Sequence, residues 1–99
     1  MLELDRKNYV REVEEASLPV LIGLYSKEQP LSAGFEQLAK DQGHRLKFCK
    51  VDTGKQRDLA QRLCTQADPS ILLLHGGKVD QRLRGSYDKA ALMKILDLN

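Results

Sequence analysis

The stretch Pro19-Val20-Leu21-Ile22-Gly23-Leu24-Tyr25 decides the fold. Its apolar character is uninterrupted over the length of a strand, which implies burial on both faces. Such strands are typical of parallel or mixed sheets that are covered by helices on either side. The loop 26–32, Ser-Lys-Glu-Gln-Pro-Leu-Ser, follows this strand and precedes a helical pattern. The sequence therefore predicts an α/β protein with a buried strand that leads into this loop.

Outward from this strand, helical and strand patterns alternate along the whole chain. The predicted order is βαβαβαββα, with a short strand near 2–4, a helix over 6–16, the strand 19–25, a helix over 31–42, a strand over 46–51, a helix over 57–63, strands over 69–75 and 78–84, and a helix over 87–97. Helices between strands predict parallel crossovers, and the turn Gly76-Gly77 adds an antiparallel hairpin. We expect one domain over residues 1–99, with a central mixed sheet of about five strands flanked by about four helices.

Helical spacing also predicts which side chains these helices bury. The expected buried residues are Tyr9, Val10 and Val13 in the first helix, Leu31, Phe35 and Leu38 in the second, Leu59, Ala60 and Leu63 in the third, and Ala91, Leu92, Ile95 and Leu96 in the last. Ser26 and Gln29 match a capping box, and Pro30 suits the first turn of a helix. These residues predict that the loop 26–32 initiates the second helix.

Composition narrows the classes of function. The chain is 41% hydrophobic and 30% charged, with a net charge of +2 spread over all segments. No basic stripe, aromatic stacking pattern or membrane-length apolar run is present, so we expect neither nucleic-acid nor membrane binding. Cys49 and Cys64 are too few for a secreted disulfide framework, which predicts a reducing cytoplasm. His44 and His75 have no partner at ligand spacing, so we expect no metal or cofactor.

Five segments, in this order and spacing, resemble the thioredoxin family. They are Pro19-Val20-Leu21-Ile22 with Leu24-Tyr25-Ser26, Lys47-Phe48-Cys49-Lys50-Val51-Asp52, Arg57-Asp58-Leu59-Ala60, Asp68-Pro69-Ser70-Ile71, and Gly76-Gly77-Lys78-Val79 followed by Gly85. The resemblance covers essentially the whole chain and implies a thioredoxin-like fold. It also implies a cis peptide bond between Asp68 and Pro69.

The chain departs from this family where the family carries its chemistry. The family's Cys-x-x-Cys opens the helix after the long strand, and Gln29 and Ser32 stand at those positions here. The family's buried carboxylate falls at Gly23, while Lys50 resembles its charged neighbour. Neither an amide nor a hydroxyl performs disulfide exchange, because the reactive species is a thiolate. We therefore expect no catalytic residue in the degenerate active-site loop, which comprises Glu28, Gln29, Pro30, Leu31 and Ser32.

Three functional hypotheses remain open. The first is a non-catalytic module that binds a protein or peptide in a groove between the loop 27–32 and Asp68-Pro69, whose negative charge favours basic peptides. The second is an atypical redox protein of cell redox homeostasis that uses Cys64 as a sensing or mixed-disulfide thiol; Cys49 is expected to be a buried structural cysteine. The third is a structural subunit of a larger complex. We expect a monomer or a weak homo-oligomer.

Overall fold

The computed structural model describes residues 1–63 and 70–98. It confirms the predicted order of elements and a five-stranded mixed sheet. The strands are β1 (Leu2–Glu3), β2 (Val20–Tyr25), β3 (Lys47–Asp52), β4 (Ser70–His75) and β5 (Lys78–Arg84), and the helices are a π-helix (Val10–Glu14), α1 (Ala33–Gln42), α2 (Arg57–Arg62) and α3 (Lys89–Ile95).

Strand β2 lies at the centre of the sheet, whose strand order is β1-β3-β2-β4-β5. It pairs in parallel with β3 and antiparallel with β4, so that Gly23 lies between Lys50 and Ile71. Strand β1 adds in parallel to β3, and β5 closes the far edge as the antiparallel partner of β4. This arrangement confirms that the long apolar strand is buried within a mixed sheet.

Two apolar cores lie on the two faces of the sheet, because successive side chains of a strand point to opposite sides. The first core contains alternate residues of β2 together with the π-helix and α2, and is formed by Leu4, Tyr9, Val13, Val20, Ile22, Leu24, Cys49, Val51, Leu59, Ala60, Leu63, Leu72 and Leu74. The second core packs α1 and α3 against the other face, and is formed by Leu21, Phe35, Leu38, Leu46, Phe48, Ile71, Leu73, Leu92 and Leu98.

The first helix differs from the prediction in the spacing of its hydrogen bonds and in the side chains that it buries. Tyr9 and Val13 are buried as expected, but Val10 is 47% exposed, so its predicted burial was wrong. The N–H of Glu15 donates to the carbonyl of Val10 at 3.0 Å, which is the wider spacing of a π-helix. The carbonyl of Glu12 accepts instead from Lys47 Nζ, at 2.8 Å. A tertiary contact with β3 therefore competes with regular α-helical bonding.

The C-terminal helix is shorter than predicted, and the burial expected for Ile95 was wrong. Helix α3 ends at Ile95, which is 38% exposed, because Asp97 adopts a positive φ of 56°. The N–H of Leu98 then donates to the carbonyl of Met93 at 2.9 Å, as in a left-handed C-terminal cap. The chain thus turns back onto the second core, and Leu98 is buried there.

Helix α1 starts in close contact with the segment that leads into α3. A Cβ atom on Gly34 would lie 2.5 Å from the carbonyl oxygen of Tyr87 and 2.6 Å from the backbone of Asp88. Next to it, the hydroxyl of Ser32 donates to the same Tyr87 carbonyl at 3.1 Å. Because these neighbours are backbone atoms, Gly34 is the residue that permits this approach.

We expect the substitution Gly34→Ala to destabilise the protein by about 1–3 kcal/mol, the usual cost of overpacking. At an exposed helix position the same change stabilises by up to ~1 kcal/mol, because alanine is the better helix former. The control is Gln37→Ala at an exposed position of the same helix. Urea unfolding compares the cost of a methyl group at Gly34 with that of a substitution by alanine at an exposed position of the same helix, and a Gly34→Ala variant as stable as the control would contradict the close approach.

Candidate functional site

The loop between β2 and α1 closes on itself before the helix starts. The N–H of Ser26 donates to the carbonyl of Gln29 at 3.0 Å, and the N–H of Gln29 donates back to the carbonyl of Ser26 at 3.2 Å. The Gln29 N–H also reaches the Ser26 hydroxyl oxygen, at 3.1 Å. These bonds form a compact turn, so the capping-box interpretation of Ser26 and Gln29 was wrong. A proline disfavours the helical conformation of the residue that precedes it, which explains why no helix starts at Gln29.

Ser32 caps helix α1 instead. Its hydroxyl oxygen accepts from the N–H of Phe35 at 3.2 Å while the hydroxyl donates to Tyr87. The helix therefore begins at Ala33, and Pro30 lies outside its first turn. In thiol chemistry, the free N–H groups of a helix start stabilise a thiolate. Here one of those N–H groups is satisfied by the serine hydroxyl.

The space above Gly23 is filled by apolar side chains. A Cβ atom at Gly23 would lie 2.6 Å from Leu31 Cδ2 and 3.0 Å from ring atoms of Phe35. Leu31 comes from the loop and Phe35 from the first turn of α1, and both pack on the second core. The position where the family resemblance places a buried carboxylate thus holds no side chain, and a side chain there would have to displace the end of Leu31.

Lys50, the neighbour of Gly23 on β3, pairs with the outer strand instead. Its Nζ lies 3.8 Å from a carboxylate oxygen of Glu3 and 5.6 Å from the centroid of the Tyr25 ring. The Tyr25 hydroxyl donates to both carboxylate oxygens of Glu3, at 2.7 and 3.1 Å. Burial, followed by this hydrogen bond to Glu3, raises the pKa of Tyr25 to about 12. The lysine charge is therefore offset by a carboxylate and an aromatic ring.

A small groove lies beside the loop, on the side of strand β3. It has a volume of about 190 Å³ and is lined by Tyr25, Pro30, Leu31, Glu36 and Lys50. The loop residues 27–30 are exposed, whereas Leu31 is half-buried. Three residues of the predicted loop, Glu28, Gln29 and Pro30, are thus presented to solvent, and Leu31 and Ser32 anchor them.

The other predicted site residues do not all fall within the described ranges. Cys64, Asp68 and Pro69 lie outside them, so the groove predicted between the loop and Asp68-Pro69 stays a prediction. Cys49 is confirmed as a buried residue of the first core. Burial raises the pKa of its thiol to about 11. Its sulfur is consequently protonated at neutral pH and is a poor nucleophile.

Within residues 1–63 and 70–98, no group of three or more His, Cys, Asp or Glu side chains is placed to hold a metal ion. No helix in that same part of the chain has the length and apolar content needed to cross a membrane. Sequence reasoning missed the contact of Leu31 with Gly23 and the position of Glu36 at the groove. The glycine inside a strand was the available signal, since such glycines mark a close approach of other groups.

Comparison with known proteins agrees with this architecture. The family model described as Thioredoxin matches residues 1–98. A chloroplastic thioredoxin M-type of Zea mays is 25% identical over 94% of this chain and 58% of its own length. A thioredoxin of Pseudomonas aeruginosa is 23% identical over 93% of this chain and 89% of its own length. The chain spans a little over half the length of several plant relatives that it matches, 51–58%.

The packing of Leu31 on Gly23 predicts a non-additive pair of substitutions. Gly23→Ala should cost about 1–3 kcal/mol in the native background, because the new methyl group meets Leu31. In a Leu31→Ala background the same change should cost about 1 kcal/mol less, since the nearest atom has been removed. Urea unfolding of the two single variants and the double variant measures this coupling. Strictly additive free energies of unfolding would show that Leu31 does not fill the site.

The burial of Cys49 predicts that its thiol reacts slowly with disulfide reagents. In a Cys64→Ser variant, Cys49 is the remaining cysteine, and its reaction with an aromatic disulfide reagent can be followed by absorbance at pH 8. A thiol whose pKa is about 11 is ionised about a hundredfold less at this pH than an ordinary cysteine. We expect at least that difference in rate between the folded and the urea-unfolded variant. Equal rates would place Cys49 at the surface.

Proposed function

The chain belongs to the thioredoxin family, and from this premise we propose that it is a member without dithiol–disulfide oxidoreductase activity. In this proposal it binds a protein or peptide partner through the surface of the loop 26–32. The observation that carries the proposal is the occupation of the space above Gly23 by Leu31 and Phe35. This packing replaces a site for acid–base chemistry by a continuation of the apolar core.

Dithiol exchange requires a nucleophilic thiolate, a second thiol that resolves the mixed disulfide, and a group that accepts a proton. At the corresponding positions the chain carries Gln29, Ser32 and Gly23. A mixed disulfide cannot form on an amide, and the Ser32 hydroxyl is already engaged in capping α1. The proposal therefore rests on the joint absence of three groups at matching positions rather than on one missing cysteine.

The contacts within the loop make it rigid, which supports a role in binding. The turn between Ser26 and Gln29 is closed by its own backbone, Leu31 is packed on the core, and Ser32 is fixed at the helix start. The exposed residues between these anchors are thus held in one arrangement. A pre-organised surface loses less conformational entropy when a partner binds, which favours its use in recognition.

The proposed partner is a protein or peptide, and the proposed compartment is the reducing cytoplasm expected from the cysteine content. The chloroplast named for several plant relatives is a property of those proteins. A monomer or weak homo-oligomer stays our prediction for the free chain.

Insulin reduction tests the absence of redox activity. With dithiothreitol as reductant, we expect the full chain to produce insulin turbidity no faster than the buffer, because no exposed Cys-x-x-Cys is present. A thioredoxin that carries Cys-x-x-Cys is the positive control. Acceleration by the wild-type chain that disappears in a Cys64→Ser variant would overturn the proposal and establish the redox alternative.

Affinity capture tests the binding surface. Proteins captured by the wild-type chain are quantified against the double variant Lys27→Ala/Glu28→Ala in the exposed loop. The control, Glu15→Ala/Lys78→Ala, also removes one exposed charge of each sign but lies outside the loop. We expect the loop variant to lose at least about fivefold of the specific partner, equivalent to ~1 kcal/mol, and the control to retain it. Equal capture by all three folded proteins would exclude the loop as the binding surface.

A further inference from the structure

The groove beside the loop has the size of a single side-chain pocket. Its volume of about 190 Å³ is below the roughly 300–1,000 Å³ of sites that bind small molecules. The Tyr25 ring, the Pro30 ring and the Leu31 side chain provide apolar surface in it. Aromatic and proline rings present apolar area at a low cost in conformational entropy. The groove therefore fits one apolar side chain of an extended segment better than a cofactor.

The charges around the groove are not balanced. Lys50 is the cation of the lining, and its charge is offset within the chain by Glu3 and the Tyr25 ring. Glu36 lines the same groove and is exposed, and Glu28 is exposed in the loop two residues before Pro30. Across residues 1–63 and 70–98, neither Glu28 nor Glu36 takes part in an ion pair. The groove thus combines apolar and charged lining, with one carboxylate outside any ion pair of the described residues in its lining, Glu36, and another, Glu28, exposed in the adjoining loop.

This groove is not the groove predicted from the sequence, which lies between the loop 27–32 and Asp68-Pro69. Lys50 belongs to β3, which lies on one side of the central strand β2. Strand β4, which follows Asp68-Pro69 along the chain, lies on the other side of β2. The groove, with Glu36 in its lining, is therefore on the β3 side of the loop, away from the start of β4.

From this juxtaposition we infer that the occupant of the loop surface is an extended peptide segment with an apolar residue flanked by lysine or arginine. The apolar side chain enters the groove between Pro30 and Tyr25, and the flanking cations lie against Glu28 and Glu36. This inference rests on the proposed function and names the partner's chemistry and the side of the loop that it occupies. Complementary charge also accelerates association and makes binding sensitive to salt.

Selection from a library of random displayed twelve-residue peptides tests the inference without a known partner. The full wild-type chain is immobilised, and enriched peptides are synthesised for affinity measurement by fluorescence anisotropy. We expect enrichment of a Leu, Ile, Met or Phe residue with Lys or Arg beside it. Each exposed ion pair contributes about 0.2–1 kcal/mol, so the double variant Glu28→Gln/Glu36→Gln should bind these peptides about tenfold more weakly.

The matched control is the double variant Glu15→Gln/Gln81→Lys, which raises the net charge equally at exposed positions, and Gln81 lies on β5, three strands from β3 in the sheet. It should bind the selected peptides within about twofold of the wild-type chain, because exposed charges beyond a Debye length are screened. Equal weakening in both double variants would overturn the inference, since it would reduce the effect to net charge. Enrichment of acidic peptides would also overturn it.

Two outcomes separate this inference from the proposed function. Peptides that lose affinity in Asp68→Asn or Pro69→Ala variants, but not in Glu28→Gln/Glu36→Gln, would place binding on the β4 side of the loop. The proposed function would then stand and the inference would fall. A selection that enriches no peptide would overturn the inference, and together with equal capture by the loop variant it would also overturn the proposed function.

Discussion

The burial of strand β2 on both faces is the constraint on which the rest of the structure depends. Because its side chains alternate between two cores, each of its residues is committed to one layer of helices. The first core requires the π-helix and α2, and the second requires α1 and α3. The loop that leaves β2 must therefore deliver α1 to one particular face. Its geometry is set by packing before any chemistry at the loop is considered.

Gly23 is the residue of β2 at which the family resemblance places a buried carboxylate and against which Leu31 and Phe35 pack. A buried carboxylate is costly unless it is hydrogen-bonded or used, because the charged form loses its hydration. Gln29 and Ser32 stand where the resemblance places the family's thiols, so a proton acceptor at Gly23 would have no thiol of this loop to serve and nothing there to offset the cost. Leu31 and Phe35 fill the space instead, and burial of their apolar surface contributes stability. Loss of the thiols and loss of the carboxylate are thus linked by the same energetic argument.

The parts of the structure that follow from local patterns were predictable, and the parts that follow from long-range contacts were not. The order of elements along the chain, the hairpin and the buried faces of α1 and α2 reflect alternation and helical spacing, which the sequence displays directly. Val10 is exposed in a π-helix whose Glu12 carbonyl accepts from Lys47, thirty-five residues away in the chain, and neither feature is visible in a local pattern. The exposure of Ile95 depends on a left-handed Asp97, a conformation usually supplied by glycine. At the site, the missing cysteines were visible in the sequence, whereas the insertion of Leu31 above Gly23 required the fold.

The contacts that support the loop fix its exposed residues in place. In an oxidoreductase the start of the helix must leave its N–H groups open to a thiolate, and the site must admit a proton acceptor. Here Ser32 occupies one of those N–H groups, and apolar side chains exclude the acceptor. Each change removes a catalytic requirement and adds a contact that fixes the exposed residues of the loop. In the function that we propose, a loop held in this way, with Glu36 in the lining of the adjoining groove, serves recognition rather than disulfide exchange.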